Sequence, residues 1–279
     1  MSGVAAGLPG PGRDVTRPVP FLRAAKGVFS LALEGMLWSR RSMLMVVLLG
    51  FPAVLAILFR VFLAARMPPN ISGFDLYGLV VGMYYVGNIL PLVALFFASA
   101  LIADEVEGKT ITYLLTRPVQ RGAILLGKFV AYLATTTVLC LPAVVITFFL
   151  LATTRGLTAM SAHAPDLLRD LGVVVLTLLA YGALFALFGV VLRRPVIPGL
   201  LFLFVWELMS RLPGYLPRFT LSAYLRSLIR HRPAEEGLAG MLGEALPVAL
   251  SLQSLAAIIV ICLGLAAWIF SRREFVLEQ

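Results

Sequence analysis

Apolar residues run along this chain in long blocks, not in the alternation of a half-buried strand or the one-sided stripe of a soluble helix. Six blocks stand out, at roughly 43–63, 77–102, 124–151, 168–192, 195–212 and 246–270. Several reach or approach the ~20 residues that an α-helix needs to cross a bilayer. The pattern predicts an all-α, polytopic membrane protein with six transmembrane helices. It divides the chain into a tail with an interface helix over 1–42, a membrane domain over 43–270 and a short tail over 271–279. The first block begins near Met43, too late for an ordinary signal peptide, so it reads as a retained span.

Two segments between the blocks carry a helical stripe instead. In "FLRAAKGVFSLALEGMLWSRR", Arg23, Lys26, Ser30, Glu34 and Arg41 share one face, and Phe21, Leu22, Ala25, Phe29 and Met36 fall largely opposite. Such a helix lies flat in the membrane interface, with its cations toward the headgroups. A soluble helix packed on a partner is the other reading. In "PRFTLSAYLRSLIRHR", Arg218, Ser222, Arg226 and Arg230 are spaced by four, opposite Leu221, Tyr224, Leu225, Leu228 and Ile229. Bounded by Pro217 and Pro233, it reads as a short helix resting on the outer leaflet, with a second short helix around 235–244. Within the blocks, Pro52, Pro91, Pro142 and Pro198 can loosen helical hydrogen bonding. Gly78 and Gly82 form a GxxxG step that permits close helix approach. No inverted repeat relates the two halves.

Composition agrees with the pattern: 60% of the 279 residues are hydrophobic and 13% are charged, against about 25% charged in soluble domains. The net charge of +9 belongs to topology and lipid headgroups, not to nucleic acid. Most of the 23 basic residues fall in four places: the N-terminal tail, the 103–128 stretch, Arg193-Arg194 and the end of the chain around Arg272-Arg273. By the positive-inside rule those segments are cytoplasmic, and both termini with them. The 213–245 segment, with Arg218, Arg226, Arg230 and Arg232, is the exception. Cys140 and Cys262 sit inside apolar blocks as small hydrophobes, and no metal-ligand spacing is visible. His163 and His231 read as structural surface residues without carboxylate or thiol partners nearby.

The stretch "ADEVEGKTITYLLTRPVQRGAILLGK", Ala103 to Lys128, contains "EGKT", the tail of a phosphate-binding loop. The full motif needs a glycine five residues before the Gly-Lys pair. That position is Ala103, and Asp104, Glu105 and Glu107 would repel a triphosphate. The chain therefore has no such loop here. A plain solvated turn has no use for Ile111, Tyr113, Leu114 and Leu115, whereas a short interfacial helix that presents apolar and charged groups to another protein does. The order of an acidic cluster, Gly-Thr, Leu-Leu, Pro-x-x-Arg and Gly-Lys resembles the hallmark segment of type-2 ABC transporter permeases. Here it is carried by Asp104, Glu105, Glu107, Gly108, Thr110, Leu114, Leu115, Pro118, Arg121, Gly127 and Lys128, with Arg117 between. Lys109, inserted after Gly108, departs from the commonest form. Within that family the chain looks closest to the single-domain permeases that serve copper-site maturation of nitrous-oxide reductase.

The resemblance implies a coupling helix between spans 2 and 3 that docks into a separate ABC ATP-binding subunit. ATP and magnesium would sit on that partner, so this chain would bind no cofactor itself and would not be an enzyme. It further implies a homodimer of permeases with two ATPases, surrounded by membrane lipids in the bacterial cytoplasmic membrane, and export of a cargo. An ordinary charged turn remains the plain alternative for 103–121. Glu207 and Arg211, four apart in the fifth block, form either a gating or substrate-path pair or a structural pair snorkelling toward the interface. Two other classes compete. A secondary transporter calls for midplane carboxylates and paired broken helices, and a lipid-modifying enzyme calls for clustered His, Asp or Ser; neither pattern is present. The nine Met and two His form no metal relay, so copper as a cargo has no support in the residues.

Overall fold

The computed structural model describes residues 40–62, 73–102, 121–152, 163–209, 220–229 and 247–272. Among the described residues the structure is entirely helical: α1 Arg40–Phe62, α2 Gly73–Ile102, α3 Arg121–Ala152, α4 Ala164–Val191, α5 Val196–Met209, α6 Leu221–Leu228 and α7 Val248–Arg272. The six apolar blocks thus become α1 to α5 and α7, with ends shifted by only a few residues. Four of them, α2, α3, α4 and α7, are long and apolar enough to cross a membrane. At 14 residues, α5 rises only about 21 Å, less than the ~30 Å hydrocarbon core. The interface helix predicted before Met43, the second short helix around 235–244 and the tail beyond Arg272 lie outside the described residues.

α2 and α4 form the centre, with most of their apolar windows buried, while little of α7 is. α1 turns Met43, Val47, Val54 and Val61 outward, and α7 turns out Val260, Ile261 and Trp268. An apolar exterior of this kind suits lipid as its solvent, where an aqueous one would not.

The middle of α2 departs from a regular helix. Val80–Ile89 winds as a π-helix, and the Leu90 amide closes it by bonding the Tyr85 carbonyl, five residues back. Pro91 follows at once. Proline brings no N–H and its ring crowds the carbonyl four residues earlier, so widening the preceding turn relieves that clash. Two consecutive tyrosines of the π segment tie α2 to its neighbours. In α1, Pro52 cannot donate to the Leu48 carbonyl, and the Tyr84 hydroxyl donates to it at 2.8 Å instead. The Tyr85 hydroxyl donates to the Leu49 carbonyl at 3.0 Å and lies 3.1 Å from Thr147 Oγ1 of α3. The broken ladder of α1 is therefore re-satisfied by a side chain, as an apolar surrounding requires.

α6 corrects the sequence reading. The helix forms between the expected prolines, capped by the Thr220 hydroxyl, which accepts from the Ala223 amide at 3.4 Å. It does not rest on a surface. None of its residues is exposed, and it packs among α7, α4 and the π segment. Of its polar stripe, Ser222 and Arg226 lie against protein, a placement that spacing alone reads the same way as headgroups. Arg218 and Arg230 lie outside the described residues. Within the GxxxG step, Gly78 is buried and Gly82 makes no tight approach. A Cβ on Gly82 would meet only Ile229 Cδ1 at 4.0 Å, an ordinary contact. Closer approaches are made at Gly182, Gly189 and Gly199.

Candidate functional site at the loop end of the bundle

The 103–120 segment connects α2, described to Ile102, with α3, which opens at Arg121. Asp104, Glu105, Glu107, Gly108, Thr110, Leu114, Leu115, Arg117 and Pro118 lie outside the described residues. Arg121 opens α3 and Glu207 lies in α5, but their side chains are likewise outside the description, as is the whole of Arg211. What the structure does describe is the pair of feet on which the segment stands.

Those feet are joined. Lys128, two turns into α3, is buried to 8% exposure, and its ammonium donates to the Leu101 carbonyl in the last described turn of α2 at 3.0 Å. Helix carbonyls point toward the C-terminus, so a cation at that end of α2 is well placed. Leu101, Ile102, Ile124 and Leu125 are all buried around this bond. On the other side, Gly189 near the end of α4 sits so close to the Ser99 carbonyl that a Cβ would clash with backbone. Gly199 of α5 abuts Leu95 in the same way, here against a side-chain tip.

Between those glycines, α4 ends as Leu192 turns extended, with its amide on the Phe188 carbonyl at 2.8 Å. Arg193 and Arg194 follow in the turn, both exposed. Pro195 and Pro198 then start α5, and Pro198 in the first turn forfeits no helical bond. Its predicted loosening does not arise. At the same end, Arg272 lies over the Trp268 ring at 4.6 Å, a cation–π contact typical of an interfacial belt. The stretch of α2 from Leu95 to Leu101 is thus held by α3 on one flank and by α4 and α5 on the other.

The far end is built differently. Arg169 Nε donates to the Leu228 carbonyl at 2.8 Å, tying α4 to the end of α6. Ser227 and Ser251 join α6 to α7 through hydroxyls 2.7 Å apart. Arg226 Nη2 fills the place beside Gly87, where a Cβ would stand 3.1 Å away. The Tyr77 hydroxyl faces the wholly buried Asp170 carboxylate. His163, expected to stand without a carboxylate, has Asp166 Oδ2 at 3.4 Å from Nδ1 and stacks on Phe74 at 3.7 Å between ring centroids. Between α1 and α2 an apolar groove of about 560 Å³ is lined by Pro52, Leu55, Leu79, Met83 and Tyr84. No group of three His, Cys, Asp or Glu among the described residues could hold a metal ion. Sequence reasoning missed Gly189, Gly199, Asp170 and Tyr84. Of these, only the tyrosine had a signal, the orphaned carbonyl that Pro52 implies.

Comparison with known proteins adds two findings. A family model described as "ABC-2 family transporter protein" matches residues 83–275, more than half of the chain. A 44-residue stretch is 52% identical to the "Probable ABC transporter permease protein NosY" of Stutzerimonas stutzeri. That stretch covers 16% of this chain and 16% of the relative, so the match spans about a sixth of the relative's length.

Proposed function

From the premise that the chain belongs to the ABC-2 family of transporter proteins, we propose that it is the permease subunit of an ATP-driven exporter. Its helices α1 to α5 and α7 form six spans with both termini cytoplasmic, and it works as a pair of protomers in the bacterial cytoplasmic membrane. ATP and magnesium are bound by a separate ATP-binding subunit. The segment 103–120 docks on that subunit, with Leu114 and Leu115 as its apolar anchor and Asp104, Glu105, Glu107, Arg117 and Arg121 setting register. Glu207 and Arg211 lie on the path that opens when the spans rearrange. The observation that carries the docking role is the bracing of the segment's two feet, because a loop that passes force needs a rigid base.

The test is pull-down of the ATP-binding subunit by detergent-solubilised chain. Leu114→Asp or Leu115→Asp would drive a charge into an apolar contact at a cost of several kcal/mol. A loss of about 3 kcal/mol lowers affinity more than a hundredfold. Recovery of the partner should therefore collapse while membrane insertion, which depends on the apolar helices, is unchanged. Recovery at the wild-type level by both variants would make 103–120 a plain turn.

A further inference from the structure

We infer that Lys128 is the positioning residue that makes α2 and α3 move as one body with the 103–120 segment. The inference rests on reading that segment as the docking site for the ATP-binding subunit. A lysine near the end of a membrane helix ordinarily extends its ammonium to the interface, where solvation costs least. Arg194, at the same end of the bundle, is exposed in this way. Lys128 is not. It lies buried with its ammonium turned inward onto the Leu101 carbonyl. Burying a cation is costly unless it is paired or hydrogen-bonded, so an inward lysine with an outward alternative marks a contact that the fold maintains.

The position of that contact gives it a consequence. Leu101 stands two residues before the segment, and Lys128 seven residues after Arg121 reopens the helix. The bond closes the base of the loop. A push on the loop then cannot be absorbed by spreading its feet. It must displace α2 and α3 together, and α2 is in backbone-close contact with α4 through Gly189 and Ser99. Without the bond, the loop could still hold its partner while the displacement was lost between the feet. Lys128 acts on docking only through the geometry of the loop.

The experiment uses the intact complex of permease and ATP-binding subunit in lipid nanodiscs. Leu79→Cys, exposed on the far half of α2, reports motion by its rate of maleimide labelling with and without ATP plus vanadate. The native Cys140 and Cys262 are buried and leave that signal clear. In K128M, recovery of the ATP-binding subunit should stay near the wild-type level, while the ATP-driven change in labelling falls about fivefold or more. K128R, which restores a cationic donor, should recover most of the change. A wild-type response in K128M overturns the inference. Loss of the partner by K128M overturns it too, because Lys128 would then serve docking itself. Should K128M not fold, K128A, which likewise removes the donor, carries the same two criteria. If the unmodified chain retains no ATP-binding subunit, the permease reading itself fails, a result separable from either outcome at Lys128.

Discussion

The two halves of α2 meet the rest of the bundle by opposite means. In the regular half, over 90–102, Gly189 brings α4 against the Ser99 backbone and Lys128 bonds the Leu101 carbonyl. In the π half, over 80–89, contact with α6 runs through side-chain tips, Arg226 beside Gly87 and Ile229 against Gly82, and contact with α1 through the Tyr84 and Tyr85 hydroxyls. Around it, bonds from Arg169 to the Leu228 carbonyl and between Ser227 and Ser251 help to hold α6. Backbone contacts have no slack, whereas side-chain tips can swing to another rotamer. The regular half is therefore suited to transmit displacement, and the π half to yield to it.

The sharpest way to break that contrast is to place the same methyl group at both ends. Gly→Ala inside a helix is ordinarily stabilising by up to about 1 kcal/mol. At Gly189 the new Cβ would collide with the carbonyl of Ser99, which cannot move without shifting α2. Overpacking of this kind costs about 3 kcal/mol, which outweighs the propensity gain. Gly189→Ala should therefore lower the thermal unfolding midpoint in detergent, and by more than any other change to alanine in this bundle's glycines at the π half. A wild-type midpoint would mean that the contact of α2 with α4 is loose.

Gly87→Ala is the counterpart. Its Cβ would stand 3.1 Å from Arg226 Nη2 and 3.1 Å from the Gly82 carbonyl. The guanidinium sits at the far end of a flexible chain and can give a few tenths of an ångström. Crowding and propensity then nearly cancel, and stability should stay within about 1 kcal/mol of wild type. A loss as large as that of Gly189→Ala would show the π half to be as tightly set as the regular half.

What could be read from the sequence follows the same division. The six apolar blocks located α1 to α5 and α7 because a long apolar run in lipid satisfies its backbone as a helix. The hallmark segment marked the loop, and Lys128 with it, but not that the lysine reaches back to Leu101. α6 was legible as a helix and misplaced in depth, since Ser222, Arg226 and the leucines opposite make one stripe whatever they face. The π segment left no mark beyond Pro91 after it; "VVGMYYVGNI" has the composition of any buried helix. Gly82 of the GxxxG step meets nothing closer than 4.0 Å, whereas Gly189 and Gly199 make tight approaches. Which glycine meets a backbone depends on the register of a second helix, and one chain's spacing does not contain it. Arg193-Arg194 was legible because charge seeks the membrane surface. Asp170 was not, because its facing tyrosine lies 93 positions away by number, 170 − 77.

The smallest effect tests why a bond at the π segment is there at all. Tyr84 serves a carbonyl that Pro52 orphans, so its worth should vanish when the proline does. In Pro52→Ala the new amide can donate to the Leu48 carbonyl, four residues back, as in any helix. Tyr84→Phe in the native background leaves that carbonyl without its hydroxyl donor, beside a groove lined by Leu55, Leu79 and Met83. Side-chain hydrogen bonds in membrane proteins average about 0.6 kcal/mol. The double-mutant cycle should therefore return a coupling of about that size between Pro52 and Tyr84, measured by reversible unfolding in mixed micelles. The sign is fixed: Tyr84→Phe must cost more with Pro52 present than in the Pro52→Ala background. A coupling of zero would mean that water enters the groove and serves the Leu48 carbonyl. The π half would then be solvated, and its tyrosines could not be what ties α1 to α2.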